Sequence, residues 1–235
     1  MVSIVIPKRK GEDISKCLDS ISQSKYKGYE IIIVDEGLER SEQRNIGIGR
    51  AKGEYVLILD SDQYISQCLL TDCVWRAERG YDAIYIPEKI ITTGWFGRLR
   101  DWERQFYTAT CVDVPRFVRK SACPYFDRSM SGPEDSDWGQ RIPGLRATSI
   151  ACLYHEDNVT LLSYFSKKAY YSKSMKRYQE KWPDDKVLDF KYRCFQIFLE
   201  DGKWKRFIKS PIAALGVMTL IFIRGIIYLC ARESL

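Results

Sequence analysis

Four short apolar runs, each leading into a helix-like stretch, set the limits on what this chain can fold into. They are VSIVIP (2–7), EIIIVD (30–35), YVLILD (55–60) and DAIYIP (82–87). Each is continuous rather than alternating, and rich in β-branched residues, which is the pattern of a strand buried on both faces. Between the first two, Ile14, Cys17, Leu18 and Ile21 recur at helical spacing within 12–24. Ser41 stands where it would cap a helix running to Ala51, with Gly53 as its stop. Ser66 stands likewise before a helix to Arg79, stopped by Gly80. Such alternation predicts an α/β fold, Rossmann-like, with a mostly parallel sheet flanked by helices. Ligands of these sheets bind beyond the carboxyl ends of the strands. The ends here are Pro7-Lys8, Asp35-Glu36, Asp60-Ser61-Asp62 and Pro87-Glu88. Acid from three strands beside the base Lys8 suits a cation together with a phosphorylated ligand.

Asp60-Ser61-Asp62 is the strongest local signal. In an extended segment, side chains at i and i+2 point the same way, so both carboxylates are expected on one side of the strand end. There they would hold a hard divalent ion, Mg2+ or Mn2+, that bridges to diphosphate oxygens. The bland alternative is an acidic loop. Asp35 reads either as an acceptor for a nucleotide base or as a carboxylate capping a turn. Glu134-Asp135, after Gly132-Pro133, reads either as chemistry or as acid favoured at a helix N-terminus. His155 is the sole histidine, and a lone histidine is more often a packed or surface residue. One histidine and no C-x-x-C pair make a Cys/His zinc site improbable. The eight scattered cysteines are expected to be reduced thiols.

Charge divides the chain. Residues 1–159 carry 22 bases and 24 acids, whereas 160–209 carry 13 bases and 6 acids, with aromatics interleaved. The second stretch is therefore built to meet anions. No nucleic-acid motif accompanies it, so a lipid phosphate or an anionic membrane surface is the expected partner and nucleic acid is not. From Pro211 to Ala231 the chain is apolar except for Arg224. As a helix at ~1.5 Å per residue, that length matches the ~30 Å of a bilayer core. Arginine near the centre of a span is disfavoured, so snorkelling of Arg224, partial insertion and packing in a core all stay open. The bases before this run put it on the cytoplasmic side. Three parts are expected: 1–159 as the catalytic domain, 160–209 as a basic aromatic helical extension, and 210–232 as an apolar helix that anchors to a membrane.

The combination "VSIVIPKRK … EIIIVDEG … RNIGIGRAKGEYVLILDSDQ" resembles the nucleotide-binding half of family 2 glycosyltransferases. "FVRKSACPYFDRSMSGPEDSDWGQRI" is similar to that family's acceptor-side segment. The likeness covers about residues 2–182, and its motifs are specific in combination. It implies a GT-A fold, a nucleotide-diphosphate sugar donor, and inversion at the anomeric carbon. By position, Pro7, Asp35 and Arg44 would hold the nucleotide, with Asp60 and Ser61 beside it. Asp62 would ligate the metal, with Asp60 and His155 near it. Asp135, paired with Glu134, would take the proton of the acceptor hydroxyl. Two departures stand out. Lys8-Arg9-Lys10 replaces the family's usual Thr-Tyr-Asn, so Lys8 or Arg9 would meet the base or a phosphate. Gln140-Arg141-Ile142-Pro143 replaces the Gln-x-x-Arg-Trp of processive synthases. The expected acceptor is a lipid-linked sugar, a glycan or a polyprenyl phosphate at the cytoplasmic face. The rivals are a soluble transferase for protein or small-molecule acceptors and a catalytically silent nucleotide-sugar-binding subunit.

Overall fold

The computed structural model describes residues 1–130, 132–157, 160–161, 163–166 and 175–233, with side chains up to Ile226. It falls into two compact units. The first comprises residues 1–89, 113–129 and 134–156, and the second 90–112, 130–133 and 157–235. This division differs from the boundary expected at 159/160, because 90–112 packs with later helices rather than with the sheet.

In chain order the elements begin β1 (Val2–Pro7), α1 (Ser15–Ser22), β2 (Tyr29–Val34), α2 (Arg40–Arg50), β3 (Tyr55–Ile58) and β4 (Gln63–Ile65). Then come α3 (Leu69–Ala77), β5 (Ala83–Tyr85), β6 (Glu88–Ile91), α4 (Trp95–Arg104), β7 (Phe117–Arg119), α5 (Glu134–Arg141), β8 (Arg146–Thr148) and β9 (Leu153–Glu156). The first unit is built on a sheet of order β2-β1-β3-β7-β5-β8. β1 pairs in parallel with β2 and β3, and β5 with β8. β7 runs antiparallel between β3 and β5. The fourth apolar run therefore lies two places from the third, separated by a strand whose three residues are too few to show a period.

The alternation of β1 explains why its run is continuous. Val2, Ile4 and Ile6 pack with Cys17 and Ile21 of α1 and Leu69, Leu70 and Cys73 of α3. Val5 packs on the other face with Ile48 of α2 and Trp138 of α5. Both faces are thus covered, as a buried strand requires. The two expected serine caps are not used. The residue preceding α2 is Glu39, the one preceding α3 is Cys68, and neither makes a side-chain cap bond. Ser41 is buried in the first turn of α2, and α3 starts two residues later than a cap at Ser66 would place it.

The second unit centres on Phe106. Its ring lies 4.8 Å from Trp102, 5.1 Å from Phe198 and 5.3 Å from Phe207. Its later helices are α6 (Met175–Lys181), α7 (Lys205–Lys209) and α8 (Pro211–Glu233). The basic aromatic extension expected over 160–209 lies partly outside the described residues. Where it is described, Tyr164, Tyr178, Tyr192 and Phe198 are buried, so much of its aromatic content is core. Pro183-Asp184-Asp185 follows α6, and Asp185 then accepts from the Val187 N–H at 3.0 Å. Among the described residues no helix is long and apolar enough to cross a membrane. Arg224 does not snorkel. It pairs with the buried carboxylate of Glu103 in α4.

Helix α2 approaches β1 closely at Gly47. A Cβ at Gly47 would sit 2.1 Å from Val5 Cγ1. Gly47→Ala is expected to destabilise the protein by ~1–3 kcal/mol through overpacking. Val5→Ala should recover part of that loss in the double variant. Denaturant unfolding of the four proteins measures the coupling, and purely additive effects would refute it.

Candidate active site

The site begins with a turn. Gln63 N–H donates to the Asp60 carbonyl at 3.0 Å, and Asp60 N–H donates to Gln63 Oε1 at 3.1 Å. Residues 60–62 are thus folded back rather than extended, and the i, i+2 expectation fails. The two carboxylates separate. Asp60 turns inward and Asp62 is exposed.

Asp60 is gripped by two arginines. Arg44 Nη2 donates to Oδ1 at 3.0 Å, and Arg116 Nη1 donates to Oδ2 at 3.3 Å. Burial works to raise the Asp60 pKa. Arg44 first, then Arg116 and Arg40, reverse this and hold the carboxylate far below its usual range. Arg44 is 1% exposed, and its other nitrogen, Nη1, donates to Asp135 Oδ1 at 2.5 Å with Glu134 Oε1 at 4.0 Å. Burial disfavours its charge, and Asp135, Asp60 and Glu134 together keep it protonated.

Local sequence explains how Arg44 is aimed. On α2, Ser41, Arg44, Gly47 and Ile48 form the buried face. Asn45 then fixes the neighbouring loop, donating to the Phe126 carbonyl at 2.9 Å and accepting from the Phe126 N–H at 2.6 Å. Phe126 lies between Arg44, 5.0 Å from its ring, and Trp138, stacked at 4.7 Å. Trp138 Nε1–H donates to the Pro124 carbonyl. The far end of α5 is closed by Arg146, which donates to the carbonyls of Gly139 and Ile142. Cations at a helix C-terminus are favourable there.

A second cluster adjoins Asp60. The antiparallel register of β4 and β9 sets Gln63 opposite His155, which brings the imidazole to Asp62. His155 Nε2 lies 3.2 Å from Asp62 Oδ2, and Nδ1 lies 2.8 Å from Glu88 Oε1. Arg116 also approaches Glu88, at 3.6 Å. Burial lowers the His155 pKa, but hydrogen bonds to Asp62 and Glu88 raise it to about 10. When Nε2 loses its proton, Nδ1–H stays on Glu88, an arrangement common behind metal-bound histidine. Asp62 and His155 Nε2 are then the donors suited to a divalent ion. Asp60, with an arginine on each oxygen, is less suited. No group of three such ligands converges among the described residues.

The remaining expected residues line the same sheet edge. Pro7 is the buried last residue of β1. Lys8 follows, its Nζ donating to the Glu12 carbonyl at 2.9 Å. Ser61 Oγ donates to Glu12 Oε1 at 2.9 Å. Asp35 is exposed directly after β2. Arg116 escaped the sequence reading. It opens an antiparallel strand, and such a strand starts at the edge where its parallel neighbours end. Its one sequence signal is a base immediately before a short apolar run. Glu88 was legible as a strand-end acid but not as the partner of His155.

Arg44→Met leaves Asp60 and Asp135 without their buried counter-ion and should cost ~3–5 kcal/mol of stability. Arg44→Lys should recover only part, since one ammonium replaces a fork that reaches both carboxylates. Chemical denaturation tests both, and a loss within ~0.5 kcal/mol for Arg44→Met would overturn the role. The folded pKa of His155 is raised, so its contribution is complete below about 6.5 and is lost as pH rises through about 10. Thermal unfolding from pH 6 to 10 without divalent ions should show this loss in the parent but not in His155→Gln. NMR of the single imidazole gives the midpoint directly.

Residues 36–127 match the profile of "Glycosyl transferase family 2". No curated protein sequence matches the chain. Among solved structures, the chain is similar to the mannosyltransferase PcManGT from Pyrobaculum calidifontis in complex with GDP-Man and Mn2+. The TM-score is 0.65 at 16% identity, covering 99% of this chain and 86% of that one. It is also similar to S. aureus TarS 1-349 in complex with UDP-GlcNAc, with a TM-score of 0.53 at 16% identity. There 73% of this chain is covered, and this chain spans 65% of that 1-349 chain. At these identities the likeness establishes the fold, which is GT-A-like. The matched residues 36–127 include Arg44, Asp60 and Asp62.

Proposed function

We propose that this chain is an inverting, metal-dependent glycosyltransferase that moves a sugar from a nucleotide-diphosphate donor to an acceptor hydroxyl or phosphate. The observation that carries the proposal is the Arg44 fork. It ties Asp60, at the end of a central strand, to Asp135, at the start of α5. A strand-end donor site and a carboxylate able to serve an acceptor are thereby held on one buried cation. The family match supports the class of reaction. The nucleotide sugars GDP-Man and UDP-GlcNAc, bound by proteins of similar fold, support the class of donor.

In this reading the donor lies along the edge formed by Pro7, Lys8, Asp35, Asp60 and Ser61. Asp62 and His155 Nε2 would hold Mg2+ or Mn2+, with Glu88 orienting the imidazole. A divalent ion so held supplies positive charge for the departing diphosphate. Arg116 adds a fixed cation on the same edge. Asp135 takes the proton of the acceptor, the acceptor oxygen bonds to the anomeric carbon, and the bond to the diphosphate breaks on the opposite face. Arg44 keeps Asp135 aimed for that transfer. The acceptor is proposed to be a lipid-linked sugar or polyprenyl phosphate at the cytoplasmic face of a membrane, in keeping with the base-rich 160–209 stretch.

Asp135→Asn should lower transfer by about 10²–10⁴-fold, the usual worth of a general base, with donor binding retained. Asp62→Ala should abolish transfer and weaken divalent-dependent donor binding. A radiolabelled donor panel with a membrane lipid extract reads the first, and calorimetry with and without Mn2+ reads the second. Undiminished transfer by Asp135→Asn would overturn the mechanism. Transfer by the parent chain no greater than the no-enzyme control would favour a silent binding subunit.

A further inference from the structure

The outer face of α8 exposes a stripe of large apolar residues, and its chemistry points to an occupant. Helix α8 sorts its residues by side. Ala214, Val217 and Leu220 are buried, and the latter two join the clusters of Phe106 and Phe96. A Cβ at Gly216 would sit 3.0 Å from the Leu99 methyls, so the helix lies close against α4. Farther along, Arg224 pairs with Glu103, which is 2% exposed and also accepts from Tyr107 Oη–H at 2.5 Å. Arg224 Nε–H donates to the Leu220 carbonyl. This face is therefore spoken for within the unit.

The other face is bare. Ile212, Leu215, Phe222 and Ile226 are 88, 72, 70 and 46% exposed, at spacings of three, seven and four residues. Thr219 is exposed between Leu215 and Phe222, and its hydroxyl donates to the Leu215 carbonyl at 2.9 Å. The stripe thus presents no unsatisfied hydroxyl. Just before it, α7 exposes Ile208 beside Lys205 and Lys209, and Trp204 is 45% exposed. From Gly202 to Arg232 the chain contains no carboxylate.

We propose that α7 and the bare face of α8 dock on an anionic lipid bilayer, with α8 lying in the plane of the interface rather than crossing it. An apolar stripe preceded by bases, with a tryptophan at its edge, matches the chemistry of an interfacial helix. Anionic headgroups complement the lysines, and acyl chains complement the isoleucines and Phe222. A protein partner's rim usually mixes charges of both signs, whereas Gly202 to Arg232 offers bases and no acid. Crossing is opposed by the Arg224–Glu103 pair. Carrying α8 through hydrocarbon would either break that pair or draw the charged helix α4 in with it. The inference concerns the surface of the second unit and does not depend on the proposed chemistry.

The test uses the full chain and vesicles of phosphatidylcholine, with or without phosphatidylglycerol. The parent should float with the anionic vesicles, bind neutral ones about tenfold less, and lose binding as salt rises. Ile212→Asp/Phe222→Asp should lower anionic-vesicle binding by about tenfold or more. Lys205→Glu/Lys209→Glu should erase the preference for phosphatidylglycerol. All four positions are exposed, so unchanged unfolding temperatures and nucleotide binding confirm that the variants are folded. Asp62→Ala should bind vesicles like the parent, which separates this surface from the reaction. An alkaline carbonate wash should release the parent. Retention through that wash would mean a spanning helix and would overturn the proposal. So would a parent that ignores vesicles but forms a dimer abolished by Ile212→Asp/Phe222→Asp.

Discussion

One buried guanidinium organises the first unit. Arg44 would be costly alone at 1% exposure, and it is tolerable because two carboxylates accept from its two arms. Those carboxylates come from the end of β3 and the start of α5. The Phe126–Trp138 stack closes over the arginine and so joins its position to the packing of the core. The site is therefore stiffened by the same contacts that fasten α2 and α5 to the sheet. Binding energy from a ligand need not be consumed in assembling it.

The extent to which this was legible in the sequence follows chain distance. β1, β3 and β5 could be read because burial on two faces leaves a continuous apolar run; β2 carries such a run too, but as the edge strand it exposes Ile31 and Ile33, against the expectation of burial on both faces. The class of fold followed from their alternation with helices. β7 could not be read, since its three residues are strand only because β3 and β5 leave a gap between them. The serine caps failed for a related reason, since a capping residue signals a helix start only when the chain enters from an extended path that leaves it exposed. Ser41 is instead drawn into the core beside Arg44. The acids of the site were visible from composition at the strand ends. Their division of labour was not, because it turns on a hairpin bond between Gln63 and Asp60 and on a cross-strand register that places His155. Arg116 and Glu88 are partners supplied by topology, and no spacing near Asp60 announces them.

The second unit repeats the physical device in another setting. Glu103 and Arg224 are separated by most of the chain yet meet in an apolar cluster. Burial opposes ionisation of Glu103, while Arg224 first, and the Tyr107 hydroxyl next, keep it charged. A pair of this kind adds little net stability over a well-packed apolar pair, but it is intolerant of having one member absent. It fixes the rotation of α8 about its own axis, so that one apolar side is enclosed and the other is displayed. The aromatic residues of the basic stretch divide in the same manner. Tyr164 and Tyr178 are enclosed, whereas Lys176 and Lys181 beside Tyr178 are exposed.

The antiparallel strand β7 has a consequence for how the protein is made. When β3 leaves the ribosome, one of its edges has no neighbour until Phe117 follows Ile58 through the tunnel. At roughly 5–20 residues per second, synthesis leaves that edge open for about 3–12 s. During that time the nascent chain presents Tyr55-Val56-Leu57-Ile58 as an unpaired apolar strand, a template for pairing with another chain. The strand is short, and Asp60 and Asp62 follow it closely. In the finished protein those acids belong to the site, and in the unfinished one they act as gatekeepers against aggregation.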